Sequence, residues 1–118
     1  MQTGRSENLT RCGLIRSGHR LAVSGEIDEA NASALGKHIG AAFGTGVTVV
    51  DLSEVTFFSA AGLRAVLGLG PIATRHGVDV RVRCSPQVWR VVELCGIPSI
   101  GGLLLEPPRR PPTEGGAP

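Results

Sequence analysis

Aromatic residues and excess charge are both scarce in this sequence of 118 residues. It has no tyrosine, one tryptophan and three phenylalanines, and its formal net charge is +2. Proteins that bind unpaired bases stack them on aromatic side chains, and duplex-binding proteins present a strong positive field. Because the net charge is small and the basic residues are scattered between acidic ones, the composition argues against nucleic acid as the main partner.

Long apolar runs and catalytic motifs are also missing. The first ten residues are polar, and no segment approaches the roughly 20 apolar residues of a membrane span. We therefore expect a cytoplasmic protein with no membrane insertion. No phosphate-binding glycine loop and no nucleophile beside a base is recognisable, so we expect no enzyme activity, no cofactor and no metal.

The three cysteines, Cys12, Cys84 and Cys95, form no Cys-x-x-Cys pair and leave an odd thiol. This pattern favours reduced thiols over a zinc site or a disulfide framework. Cys84 and Cys95 each fall at the end of a predicted element, where an exposed thiol could be oxidised as a regulatory input. The alternative, two small buried side chains, is favoured because Cys95 completes an apolar stripe.

The remaining composition is that of one folded domain, with 42% hydrophobic and 19% charged residues. Residues 9–105 are expected to form the domain. Residues 1–8 are expected to be a flexible N-terminus. Residues 106–118, rich in proline and glycine, are expected to be a disordered tail.

Periodicity predicts five strands and three helices. Two strands, residues 9–16 and 20–27, flank a turn, and Asp28 can cap the helix that follows. The β-branched run of residues 47–52 indicates a central strand covered on both faces. A helix capped by Ser59 presents Leu63, Val66 and Leu67 on one side and should break near Gly70, before Pro71.

The last third of the domain continues the alternation of strands and helices. Residues 78–84 alternate apolar and charged side chains, as in a strand with one buried face. Ser85 and Pro86 then begin a helix whose stripe includes Val88, Val91, Val92 and Cys95 and which ends at Gly96. A strand near residues 100–105 completes the order β-β-α-β-α-β-α-β. This order predicts an α/β fold with helices packed on a mixed, mostly parallel sheet.

Three segments resemble the STAS family of anti-sigma factor antagonists. They are Gly25-Glu26-Ile27-Asp28, the stretch VDLSEVTFFSAAGL from Val50 to Leu63, and the helical segment from Ser85 to Ile97. The resemblance covers about residues 14–100. In these bacterial regulators of sigma factors, Asp-Ser-Ser/Thr-Gly-Leu follows the strand, and an anti-sigma kinase phosphorylates the first serine.

The resemblance places Ser59 at the usual aspartate, Ala60 at the phosphorylated serine and Ala61 at the second hydroxyl. Phosphate adds nearly two negative charges, which an alanine cannot accept. The resemblance therefore implies an antagonist that binds an anti-sigma factor kinase without phosphorylation at position 60. It implies partner contacts through Asp28 and the start of the second helix, namely Ser59, Ala60, Ala61, Gly62, Leu63 and Arg64, with Ala61 and Gly62 forming a smooth surface.

Two questions stay open from the sequence. Ser59 is either the helix cap, which is favoured, or a relocated phosphorylation site, since helix N-termini accommodate phosphate. The function is either that of an antagonist or that of an adaptor subunit of an ABC-type lipid transporter or another regulatory scaffold, for which position 60 needs no hydroxyl.

Overall fold

In the part of the chain that the structure describes, a seven-stranded mixed sheet carries four helices. The computed structural model describes residues 4–96 and 99–109. The strands are β1 (Gly4–Leu9), β2 (Cys12–Ser17), β3 (Arg20–Ile27), β4 (Val49–Phe58), β5 (Val80–Cys84), β6 (Ser99–Ile100) and β7 (Leu103–Glu106). The helices are α1 (Ala32–Phe43), α2 (Ala60–Leu67), α3 (Leu69–Arg75) and α4 (Pro86–Cys95). The predicted fold class is confirmed.

The spatial order of the strands is β1-β2-β3-β4-β5-β7-β6. The neighbours β3, β4, β5 and β7 are parallel, and the strands at both ends of the order pair antiparallel. Each parallel crossover therefore steps in the same direction along the sheet. Crossovers of the usual right hand then place every connecting helix on the same face.

Burial follows this two-layer arrangement. On β5, Val80, Val82 and Cys84 are buried, whereas Arg81 is exposed and Arg83 is half-buried. The apolar side of the sheet packs against the helices, and Leu35, Ile39 and Phe43 of α1 fill the core beneath them. The prediction that the central strand is covered on both faces is wrong, because none of the helices in the described residues lies on the opposite side. Asp51 of β4 faces that side and is held by Arg20, whose Nε donates to its Oδ2 at 2.9 Å.

The chain ends differ from the sequence prediction. A strand, β1, occupies Gly4–Leu9 and pairs with β2, where a flexible segment over residues 1–8 is predicted. Its backbone completes hydrogen bonds along β2, which a polar sequence can do as well as an apolar one. Glu106, predicted to begin the tail, belongs to β7, and the tail beyond residue 109 lies outside the described residues.

The second predicted helix is two helices. The break lies at Gly68, two residues before the predicted position, and Pro71 falls within the first turn of α3. In the first turn of a helix the backbone N–H groups have no intrahelical acceptors, so a proline there loses no hydrogen bond. The break at Gly68 therefore lets the chain stay helical through Pro71. By contrast, α4 begins and ends as predicted: the Ser85 side chain accepts from the Val88 amide, and Gly96 is left-handed.

Candidate functional site

The carboxyl ends of β3 and β4 bring the predicted site residues to one edge of the sheet. Ile27 is the register partner of Phe58. The amide of Ser59 donates to the carbonyl of Ile27 at 3.0 Å, which extends the pairing by one residue. Asp28 and Ser59 therefore leave the sheet side by side, and each leads into a helical turn. The two segments that the sequence analysis singled out separately are neighbours in space.

Ser59 is the N-cap of α2. Its backbone is extended (φ −92°, ψ 173°), and its Oγ accepts a hydrogen bond from the Gly62 amide at 3.2 Å. Its carbonyl accepts from the amide of Leu63 at 3.0 Å, the first bond of the helix. The bond to Oγ satisfies the Gly62 amide, one of those that a helix start leaves without an intrahelical acceptor. The predicted cap is confirmed.

The start of α2 has a buried and an exposed side. Ala60 and Arg64 are exposed and Leu63 is half-buried, whereas Ala61 and Gly62 are buried. Positions 60, 63 and 64 are spaced i, i+3 and i+4, so they share one side of the helix. We call Ala60, Leu63 and Arg64 the docking face.

Two predictions about this helix are therefore wrong. Ala61 and Gly62 do not form a surface for a partner, because they point into the core. The buried side of α2 consists of Ala61, Gly62 and Val66 rather than Leu63, Val66 and Leu67. Small residues at 61 and 62 let the helix approach the sheet closely, which rotates the larger Leu63 toward solvent.

The prediction that Asp28 caps α1 is wrong. Asp28 closes a turn that precedes the helix. The N-cap of α1 is Asn31, which lacks a side-chain capping bond. The Asp28 carboxylate accepts from the Ala30 amide at 2.9 Å and from Arg11 Nη1 at 2.9 Å. Partial desolvation opposes ionisation, but these bonds outweigh it and hold the pKa of Asp28 below its ordinary value. The carboxylate therefore stays charged at neutral pH, beside the start of α2.

An exposed ion pair joins the two segments. Glu29 Oε2 lies 3.8 Å from Arg64 Nη2, and both side chains are largely exposed. Such a pair contributes little to stability. It does place the Glu29 carboxylate beside the docking face, next to the guanidinium of Arg64, so charged groups lie around Ala60 and Leu63. Neither Glu29 nor Arg11 is predictable from the sequence, because each acts through a residue distant in sequence.

Phe57 is a further exposed residue that the sequence analysis missed. Its side chain is 50% exposed, whereas the adjacent Phe58 is buried. Neighbouring strand residues point to opposite faces. The Phe57-Phe58 doublet therefore already indicated that one of the two rings lies outside the core.

The two thiols near element ends differ in environment. Cys84 is buried, and burial raises the pKa of its thiol to about 12. Cys95 is exposed, so the prediction that it completes the buried stripe of α4 is wrong. In the last turn of α4 the side chains from Glu93 onward are exposed, and Val92 is the last one packed on the sheet.

Within residues 4–96 and 99–109, no group of three or more His, Cys, Asp or Glu side chains could hold a metal ion. Over the same ranges, the helices are too short or too polar to cross a membrane.

Comparisons with known proteins agree with this architecture. The family model described as "Mlab, STAS domain" matches residues 13–105. An anti-sigma factor antagonist from Mycobacterium paratuberculosis is similar at a TM-score of 0.61 and 27% identity, over 86% of this chain and 84% of that one. No curated protein matches the sequence.

Two structures of the antagonist SpoIIAA share the fold at lower identity. The unphosphorylated form has a TM-score of 0.56 and 18% identity over 95% of this chain and 91% of that one. The phosphorylated form, described as a Bacillus cell fate determinant, has a TM-score of 0.53 and 17% identity over 95% of each chain. With the family model covering most of the sequence, the chain belongs to the STAS domain family.

Proposed function

We propose that this protein is an anti-sigma factor antagonist that binds its anti-sigma factor through the docking face of α2 and the neighbouring Asp28. The observation that carries the proposal is the arrangement of Ala60, Leu63 and Arg64 beside an ionised carboxylate at one sheet edge. The 27% identity to an anti-sigma factor antagonist over most of both chains supports it. The partner we propose is an anti-sigma factor of the serine-kinase type.

Ala60 gives this proposed antagonist a distinct character. By the resemblance of its motif, Ala60 occupies the position of the phosphorylated serine in the antagonists. Its exposed methyl group offers no hydroxyl to a kinase, and it leaves a small, uncharged centre to the docking face. A phosphate at this point would add charge and bulk to a surface that must dock closely. The proposed complex is therefore not released by phosphorylation at position 60.

Ser59 is proposed to act as a structural cap rather than as a relocated phosphorylation site. Its Oγ accepts from the Gly62 amide, and the side chain is half-buried. A kinase would have to withdraw this oxygen from the helix start before transferring phosphate to it. Capping the helix is therefore a simpler role for this hydroxyl than accepting a phosphate.

A second candidate function is an adaptor subunit of an ABC-type lipid transporter. The absence of a hydroxyl at both Ala60 and Ala61 favours it, because an adaptor that binds permanently needs no phosphorylation. The same docking face would then contact the ATPase subunit. The two candidates differ in partner and not in the surface used, so the identity of the bound protein separates them.

A binding experiment tests the proposal. The tagged full chain is used to capture proteins from its native cells, captured proteins are identified by mass spectrometry, and the affinity for the purified partner is measured. Ala60→Asp adds a charge and a larger side chain at the centre of the docking face. We expect it to weaken binding of the anti-sigma factor by at least about 100-fold, as repulsive and desolvated charges do at an interface.

Ala34→Asp is the matched control, because Ala34 is an exposed alanine on α1, away from α2. It should leave the affinity unchanged. Recovery of an ABC ATPase whose binding is sensitive to Ala60→Asp would replace the first candidate with the second. Equal binding of the anti-sigma factor by both variants would contradict the assignment of the docking face.

A further inference from the structure

A cavity of about 400 Å³ opens at the carboxyl end of β5, and none of the residues that line it belongs to the docking face. Strand β4, the start of α4 and residues 106–109 form its walls. This volume falls within the range of about 300–1,000 Å³ that is usual for small-molecule sites. No part of the proposed antagonist function uses it.

Positive charge dominates the lining of this cavity. Arg81, Arg83 and Arg109 contribute three guanidinium groups, and Glu106 contributes the single carboxylate. Glu106 is committed to Arg81, whose Nε donates to its Oε2 at 2.8 Å. An excess of two positive charges therefore remains at Arg83 and Arg109. A concave surface with this excess attracts anions.

Arg83 has unused donors in this lining. Its side chain is 29% exposed, and its ion-pair partner among the described residues is Glu106, with 3.9 Å between Nε and Oε1. Asp51, its register partner on β4, is already held by Arg20. Within the described residues, no acceptor forms a hydrogen bond with its guanidinium. A guanidinium that lines a cavity and has no protein acceptor keeps its N–H donors available to a ligand. A planar fork of N–H donors matches phosphate oxygens well.

Ser85 adds a neutral donor to the same cavity. Its side chain is 1% exposed, and its Oγ already accepts from the Val88 amide at 3.2 Å. Among the described residues, the hydroxyl hydrogen has no acceptor. The positive end of the α4 dipole lies at this position, which also favours an anion.

From these observations we propose that the cavity binds a small phosphate-bearing molecule. Arg83 and Arg109 bind the phosphate oxygens, the Ser85 hydroxyl donates to one of them, and the rest of the molecule occupies the space beside Pro107 and Pro108. The Arg81–Glu106 pair keeps Glu106 from repelling the ligand. Because the site is distinct from the docking face, the proposal stands independently of the identity of the protein partner.

Titration of the full chain with inorganic phosphate and with pyrophosphate tests this inference, using calorimetry and amide chemical shifts, with chloride at equal ionic strength as reference. We expect saturable binding of pyrophosphate. Arg83→Gln should weaken it at least about tenfold, the usual effect of losing hydrogen bonds between charged groups. Arg109→Gln should weaken it several-fold. Arg75→Gln, at the far end of α3, should leave it unchanged.

Absence of saturable binding, equal affinity in all variants, or shifts confined to residues outside the cavity would overturn the proposal. Should Arg83→Gln fail to fold, Arg83→Lys keeps the charge and removes the fork, so weaker binding by that variant is the expected result. Arg109 lies in a segment without regular structure, so Arg109→Gln tests the site without disturbing a strand or a helix.

Discussion

Gly62 of α2 lies directly against the ring of Phe58. A Cβ atom built on Gly62 would come within 2.9 Å of Phe58 Cε1 and equally close to Ile27 Cγ2. Both neighbours are buried and belong to the two strands whose ends carry the site. The close approach of helix and sheet at this point fixes which side of α2 faces solvent, and hence the composition of the docking face.

Gly62→Ala should therefore destabilise the protein although alanine favours helices. The added methyl group must displace two side chains that have no free space, and overpacking of this kind costs about 1–3 kcal/mol. Denaturant unfolding measures the loss. The same variant should also weaken partner binding, because α2 has to shift away from the sheet.

Gly36→Ala is the control for that measurement. Gly36 is also a helical glycine, but its added Cβ would lie 3.6 Å from Ala65 Cβ, an ordinary contact. The gain in helix propensity should make this variant equal to the wild type or more stable by up to about 1 kcal/mol. Similar losses of stability in both variants would show that replacing any helical glycine destabilises the protein. The contact with Phe58 would then not be the cause.

Removal of the Ser59 hydroxyl should lower stability by a smaller amount. Ser59→Ala loses the hydrogen bond to the Gly62 amide, and loss of an N-cap costs about 1 kcal/mol. Ser59→Asp keeps an acceptor at the same place and adds a charge suited to a helix start. Thermal unfolding should therefore rank wild type and Ser59→Asp together, above Ser59→Ala. An equally stable Ser59→Ala would mean that the cap contributes nothing.

Local signals in the sequence account for most of the fold. Ser85, Pro86 and Gly96 predict α4 correctly, because a cap, a first-turn proline and a left-handed glycine each act on the backbone beside them. Ser59 predicts the start of α2 for the same reason. The order of strands and helices follows from these boundaries and from the apolar spacing between them.

Features that depend on distant residues could not be predicted in this way. The partner of Asp51 is Arg20, 31 positions earlier, so the apolar run around Asp51 looked like a strand covered on both faces. Strand β1 is polar, and only its pairing with β2 makes it a strand. Which side of α2 faces the core depends on contacts of Ala61 and Gly62 with the sheet. The helical periodicity of only eight residues does not define that side.

The thiols should react very unequally with a thiol reagent. Cys95 is exposed, whereas Cys12 and Cys84 are buried, and the pKa of Cys84 is raised to about 12. At pH 8 almost none of the Cys84 thiol would be ionised, and the thiolate is the reactive form. Mass spectrometry after brief labelling of the native protein should find one label, on Cys95. A Cys95→Ser variant should stay unlabelled until denaturant is added; rapid labelling of it would contradict the burial of the other two.

Asp51 should make part of the stability depend on pH. Burial opposes its ionisation, but bonds from Ser53 and Arg20 outweigh this and lower its pKa. A carboxyl whose pKa is lower in the folded state contributes stability above its unfolded pKa of about 4, and this contribution is lost as the pH falls through the folded value. Asp51→Asn should therefore lower the free energy of unfolding by about 1 kcal/mol at pH 7. This is less than the roughly 1.5–3 kcal/mol usual for a hydrogen bond to a charged group, because Arg20 is half exposed.

The difference between wild type and Asp51→Asn in urea unfolding should shrink steadily as the pH is lowered below about 4. Glu54→Gln is the matched control, since Glu54 is exposed on the same strand and forms no ion pair within the described residues. Its stability should follow that of the wild type at every pH. A deficit of Asp51→Asn that stays constant down to pH 2 would mean that the loss comes from packing, because only the charged form of Asp51 is held by Arg20.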